Sequence, residues 1–206
     1  MIKFIAAFSC VFALTGCASS MKVTAPDTNR RIENTIKVAG NKDEVWSRLV
    51  PRLSKQFFVI NNIDKESGLI NVSYSGDPSQ YVDCGYAVSS LLGKDTKING
   101  SAANAQYDFS NGLHFFEVTR LLNLEGRLNI ILENVDSDAT QVTANTRYVL
   151  QRNMNVVPVS GGLPSQFSDS IAFNTGETGV FQNRGGEQTT CVSTGVLEEK
   201  ILFLAK

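Results

Sequence analysis

Two stretches near the middle of the chain limit its fold more than any other part. In Arg127–Glu133 the residues Leu128, Ile130 and Leu132 recur at every second position. In Thr140–Leu150 the residues Val142, Ala144, Thr146, Tyr148 and Leu150 do the same. A period of two places each set on one face of a strand. Asn134-Val135-Asp136-Ser137-Asp138 between them supplies turn chemistry, so the pair predicts an antiparallel hairpin. One face of that hairpin is committed to a core and needs a second layer to cover it. His114–Arg120 reads as a further strand.

The first residues set the compartment. Lys3 precedes an uncharged run, Phe4–Leu14, which ends in Leu14-Thr15-Gly16-Cys17. The run is too short to span a bilayer, which takes roughly 20 apolar residues. Apolar residue, two small residues and cysteine resemble the lipobox of bacterial lipoproteins. The resemblance implies a signal peptide over residues 1–16, cleavage before Cys17 and triacylation of that cysteine, which would anchor the chain stably. Ala18 stands where an inner-membrane lipoprotein would carry Asp. By the same resemblance, the expected address is the outer membrane, facing the periplasm. Residues 17–32 are small and polar, with Pro26, and read as a lipidated flexible tether.

Four cysteines are present. Cys10 would leave with the signal and Cys17 would carry lipid, so Cys84 and Cys191 remain. An oxidising periplasm favours a disulfide between them, and two buried thiols are the alternative. Closing a loop of about a hundred residues is worth nominally ~4–5 kcal/mol. Removing Lys3 from 19 basic side chains leaves 18 against 20 acidic ones, a net charge near −2. No basic stripe interleaves with aromatics, so nucleic acid is not an expected partner.

Residues 33–206 read as one α+β domain that opens β-α-β-β. Thr35–Val38 is a short strand. Asn41 and Glu44 have capping-box spacing, and Val45, Trp46, Leu49, Val50, Leu53 and Phe57 recur at helical spacing, which predicts a helix over 42–56 interrupted at Pro51. Phe57–Ile63 and Leu69–Tyr74 are strands joined by a polar turn. Glycine, serine and asparagine dominate about 76–113 and 153–190, which read as long loops. Within the second, Ile171 and Phe173 face Val180 across Thr175–Gly179 as a small hairpin. Ser193 or Thr194 would cap a last helix carrying Val196, Leu197, Ile201 and Leu204.

The Asp43-Glu44-Val45-Trp46 helix, Val50-Pro51-Arg52-Leu53 and the strand pair after them are similar to the repeated domain of BamC. That family of lipoproteins belongs to outer-membrane β-barrel assembly. The likeness covers about residues 33–75. It implies a helix-grip fold, an antiparallel sheet packed on a helix, followed here by further antiparallel strands and a C-terminal helix.

Catalytic constellations are not legible. The one histidine, His114, adjoins an apolar strand. Ser-x-x-Lys occurs only at Ser19–Lys22, in the tether, and no phosphate loop follows a strand. Asp136 and Asp138 suit a turn better than calcium. Glu117, Glu125 and Glu133 are read as solvent-face carboxylates, and Glu198 and Glu199 as helix-dipole partners. Asp83 and Arg120 are candidates for a buried pair that locks a loop to the sheet. No metal or cofactor is expected. The leading reading is a non-catalytic, lipid-anchored binding or assembly module. Its partner is an envelope protein, bound through the exposed loops at 86–113 and 153–190. The alternative is a carrier holding an apolar ligand in a cavity lined by Trp46, Leu49 and Leu53. A cell-wall or glycan hydrolase is the least supported reading.

Overall fold

The computed structural model describes residues 20–91, 93–183 and 187–206. The expected signal, the expected lipidation site Cys17 and the break at Arg184-Gly185-Gly186 lie outside them. In chain order the elements are β1 (Ser20–Thr24), β2 (Thr35–Ala39), α1 (Lys42–Leu53), β3 (Val59–Asp64) and β4 (Leu69–Gly76). Next come β5 (Val82–Asp83), β6 (Tyr86–Leu91), β7 (Lys94–Asn99) and β8 (Asn104–Ser110). The chain closes with β9 (Phe115–Asp136), β10 (Ala139–Pro158), β11 (Ser165–Asn174), β12 (Thr178–Gln182), β13 (Gln188–Ser193) and α2 (Val196–Ala205).

The predicted hairpin is real and much longer than its alternating core. β9 has 22 residues and β10 has 20, paired from Asp136 and Ala139 at the turn to Phe116 and Pro158 at the far end. At 3.4 Å per residue this ladder has a contour of roughly 65 Å. Shorter strands cover each edge in tandem. β4 pairs β9 from Leu69↔Ile131 to Gly76↔Leu124, and β8 continues along the same edge from Asn104↔Leu121 to Ser110↔Phe115. On the other edge β2 pairs residues 139–143 of β10, and β11 pairs residues 147–156. β3 completes a seven-stranded antiparallel sheet.

One face of this sheet is covered. Near the hairpin turn, α1 and α2 lie over Leu128, Ile130, Val142 and Ala144, and these residues form one apolar cluster with Val45, Leu49, Leu53, Leu197 and Ile201. Asn41 caps α1 as its spacing implies: Glu44 N–H donates to its side chain, and Glu44 Oε2 accepts from the Asn41 N–H. Gly126 interrupts the apolar alternation of β9 because Leu197 of α2 comes there. A Cβ at Gly126 would stand 3.1 Å from Leu197 Cδ1. Farther along, two three-stranded sheets take over the covering layer, β12-β13-β5 and β1-β6-β7. A disulfide joins Cys84 and Cys191, 107 residues apart, and closes the first of these.

Three expectations are corrected. The fold is β-rich rather than an α+β helix-grip: strands take 59% of the described residues and helices 12%. α1 sits over one end of a sheet that runs far past it. The segments read as long loops are mostly strands: β8 and β11 pair with the central hairpin, and β5, β6, β7, β12 and β13 pair within the two small sheets, so a polar composition is compatible with extended backbone there. The segment read as a flexible tether contains β1, which pairs with β6 from Ser20↔Ser90 to Thr24↔Tyr86. Smaller differences follow the same logic. β11 and β12 do not form a hairpin, since β11 pairs β10 and β12 pairs β13. Gly195 at φ 85° is the N-cap of α2, in place of Ser193 or Thr194.

Buried polar groups tie the covering layer to the sheet. Arg120 is 8% exposed. Its guanidinium donates to the carbonyls of Gly100 (2.9 Å), Asn99 (2.8 Å) and Ala102 (3.1 Å), while its Nε has no partner. The expected Asp83–Arg120 pair is absent, since Asp83 Oδ1 accepts the Gly85 N–H instead. Arg120 still fastens the segment, through the 99–102 turn, where Ser101 Oγ accepts the Cys84 N–H at 2.8 Å. Arg152 is bidentate to Asp169 (2.9 and 2.6 Å) and lies 4.3 Å over the Phe181 ring. Glu198, fully buried in the first turn of α2, accepts from Tyr148 Oη at 2.8 and 2.9 Å and from Thr175 Oγ1 at 2.6 Å.

Two stability predictions result. Arg120→Ala leaves three carbonyls without their donor and lowers unfolding free energy by about 2–4 kcal/mol in urea titration. Burial, and then the neighbouring Glu198 carboxylate, push the Tyr148 hydroxyl well above the usual tyrosine range. Below about pH 10 the residue is neutral both folded and unfolded, and its contribution is fully present. Above that, only the unfolded chain releases this proton, so stability falls by about 1.4 kcal/mol per pH unit from this group. Alkaline titration of stability is expected to be shallower in Tyr148→Phe by that slope.

Candidate functional site

The face of the seven-stranded sheet opposite the helices carries an ordered array of polar side chains. It arises from the same alternation that builds the core. Where Leu128, Ile130, Ala144 and Tyr148 point inward, Arg127, Asn129, Asn145 and Arg147 point outward, and on β4 Asn71 and Ser73 alternate with the buried Ile70 and Val72. The ladder then aligns them. Asn71 is opposite Asn129, and Asn129 is opposite Asn145. Asn61 Nδ2 donates to Asn71 Oδ1 (2.9 Å), and Asn71 Nδ2 donates to Asn129 Oδ1 (2.6 Å). At the other edge Asn34 Nδ2 donates to Asn145 Oδ1 (2.8 Å). A row of five amides thus crosses the sheet.

One rung away, Arg127 is directly opposite Arg147. Like charges facing each other across a ladder are destabilising. Glu125 relieves only one of the two, with Oε1 2.8 Å from Arg127 Nε and 2.7 Å from its Nη2. The Arg147 side chain has no ion-pair or hydrogen-bond partner among the described residues. Between the amide row and the arginines lies a shallow depression of about 330 Å³, extended to Asn174 and Thr175 on the next strand side. Guanidinium forks fit carboxylate or phosphate oxygens in two-point contacts, and the amides add donors and acceptors at fixed spacing. The array is suited to holding an anionic, hydrogen-bonding partner.

The residues singled out from sequence lie elsewhere. Leu49 and Leu53 are fully buried and Trp46 nearly so, all within the main apolar cluster. They are core, and they do not line the depression between the amides and the arginines. Cys84 and Cys191 form their disulfide beneath the sheet. His114 sits in the β8–β9 turn, its ring edge-on to Phe116 at 6.4 Å. Glu117, Glu125 and Glu133 share one strand face at eight-residue intervals, roughly 27 Å apart, and do not converge. Asp136 pairs with Lys37 at 2.7 Å. Among the described residues no three His, Cys, Asp or Glu side chains cluster to hold a metal, and no helix is long and apolar enough to cross a membrane.

The amide–arginine array was missed because outward positions were read only as solvent-facing. The signal was present in the sequence. Arg127-x-Asn129 and Asn145-x-Arg147 are mirror images about the 134–138 turn, so hairpin register alone puts arginine against arginine and amide against amide.

No known family model, curated protein or solved structure matches the chain.

If Trp46, Leu49 and Leu53 are core alone, Leu49→Ala should cost about 3 kcal/mol of stability. An organic extract of the purified protein should hold no stoichiometric apolar compound before or after the substitution.

Proposed function

We propose that this chain is a lipid-anchored, non-catalytic binding module of the cell envelope, held at the outer membrane through Cys17. It engages an envelope protein on the open face of its sheet. The lipobox and Ala18 support the address, and a disulfide suits an oxidising compartment. The observation that carries the binding reading is the facing pair Arg127 and Arg147 beside a row of five aligned amides. A fold that maintains two opposed guanidiniums on an exposed ladder, with a carboxylate on Arg127 alone, gains by receiving a second anionic group there. The matching partner surface is acidic and rich in backbone or side-chain hydrogen-bonding groups.

The test uses the full lipidated protein in cells, with a photoreactive residue at Asn145 and mass spectrometry of what is joined to it. Arg127→Glu with Arg147→Glu should lower recovery of the crosslinked envelope protein by at least about tenfold, with the melting temperature kept. Equal recovery from the double variant would contradict the assignment of this face.

A further inference from the structure

The end of the long hairpin farthest from the helices carries an apolar tip. We infer that this tip rests on the lipid surface, as a second membrane contact beside the lipid at Cys17. The inference rests on the anchor reading above.

Two neighbouring turns make the tip. The β8–β9 turn spans residues 111–114 and the β10–β11 turn spans residues 159–164. Ser110↔Phe115, Phe116↔Pro158 and Val156↔Ser165 are in register, and the Val159 N–H donates to the Phe115 carbonyl at 2.9 Å. The two turns therefore lie side by side. They expose Leu113 (84%), Leu163 (90%), Val159 (60%) and Phe115 (43%). Neither residues 109–116 nor residues 156–168 contain Asp, Glu, Lys or Arg. Charged residues reappear only behind the tip, where Asp108 is opposite Glu117. A tip without charge followed by an acidic rung is suited to a bilayer interface, because the apolar side chains can leave water while the carboxylates stay in it.

The course of the chain says what covers the tip. Gly100 N–H donates to the Gly85 carbonyl at the start of β6, and Ser89 Oγ donates to the Asp108 carbonyl near the end of β8. β6 therefore runs alongside β8 in the same sense, toward the tip. β1 is antiparallel to β6, with Thr24 at Tyr86 and Ser20 at Ser90. The first described residue, Ser20, thus lies at the tip end. Cys17 is three residues before it, and three residues span at most about 11 Å. β1 fixes the anchor close to the tip, where a long tether would have left the orientation free.

The experiment uses the full mature lipoprotein in phosphatidylethanolamine/phosphatidylglycerol vesicles, with and without lipids brominated midway along the acyl chain. Leu113→Trp and Leu163→Trp report the tip. Val135→Trp, at the opposite end by the β9–β10 turn, is the control, and the buried Trp46 is a common baseline. These three sites are exposed, so the substitutions leave packing unchanged. Insertion of ~5–10 Å should cost tryptophans at 113 and 163 about half of their added emission, with none lost at 135. Three outcomes would overturn the inference: equal emission in both lipids at 113 and 163, equal quenching at all three sites, or a blue shift that depends on protein concentration and not on bromine, which would mean self-association. Palmitate labelling of the same preparations separates the two readings. No label means the anchor reading has failed, whereas label without quenching at 113 and 163 means only the tip inference has failed.

Discussion

Twenty residues of β10 pair with β9 in one antiparallel ladder, and that ladder places nearly everything else. It offers two long edges, and each is filled by two shorter strands in series, β4 then β8 and β2 then β11. A strand pair this long has only one way to protect its apolar face, which is to lay several independent elements along it. Here these are two helices near the turn and two small sheets beyond them. Segments with little hydrophobic content of their own stay extended because their backbone groups are paired, those of β8 and β11 with the hairpin and those of β5, β6, β7, β12 and β13 within the two small sheets, and only every second side chain has to be buried.

The covering elements come from distant parts of the chain and are fastened by polar groups as well as by apolar contact. Arg120 reaches up from β9 to a turn near the disulfide, Arg152 reaches from β10 to β11 and β12, and Tyr148 holds the buried carboxylate of α2. Each group is desolvated, so each specifies one position for the element it holds. Breaking one leaves unpaired polar atoms rather than a tolerated slip. The disulfide between Cys84, the residue after β5, and Cys191 of β13 adds a covalent tie within the sheet that lies between the helices and the tip.

The parts of this arrangement legible in the sequence were those with strong local signals. The Asn41/Glu44 box, the periodicity from Val45 to Leu53, the two alternating runs around 134–138, the paired cysteines and the last helix all have short-range causes, and all are present. The length of β9 and β10 was not legible, because Gly126 breaks the alternation of β9 for the sake of Leu197, a contact that only the folded chain reveals. The strands at 82–110 and 165–193 were not legible either. Their solvent faces are built of the residue types that also build loops, and that composition hides the hairpins that keep them extended, β6 with β7, β8 with β9, β10 with β11 and β12 with β13. The α+β reading followed from giving weight to α1 and leaving those segments unstructured. The candidate binding face was half legible: its residues were in view, and their alignment depended on register.

The resulting molecule has two distinct surfaces on one rigid frame, an amide and arginine face along the sheet and an uncharged apolar tip beside the start of β1. Both depend on the hairpin being one continuous element out to its far end. Hydrogen exchange on the full protein, read residue by residue along β9 and β10, tests this most directly. The account predicts slow exchange of the ladder amides from residue 118 to 132 and from 140 to 156, with one common protection for the halves under the helices and under the small sheets. Rapid exchange confined to residues 115–123 and 151–158 would show that the far half is not held by the ladder, and would contradict the account.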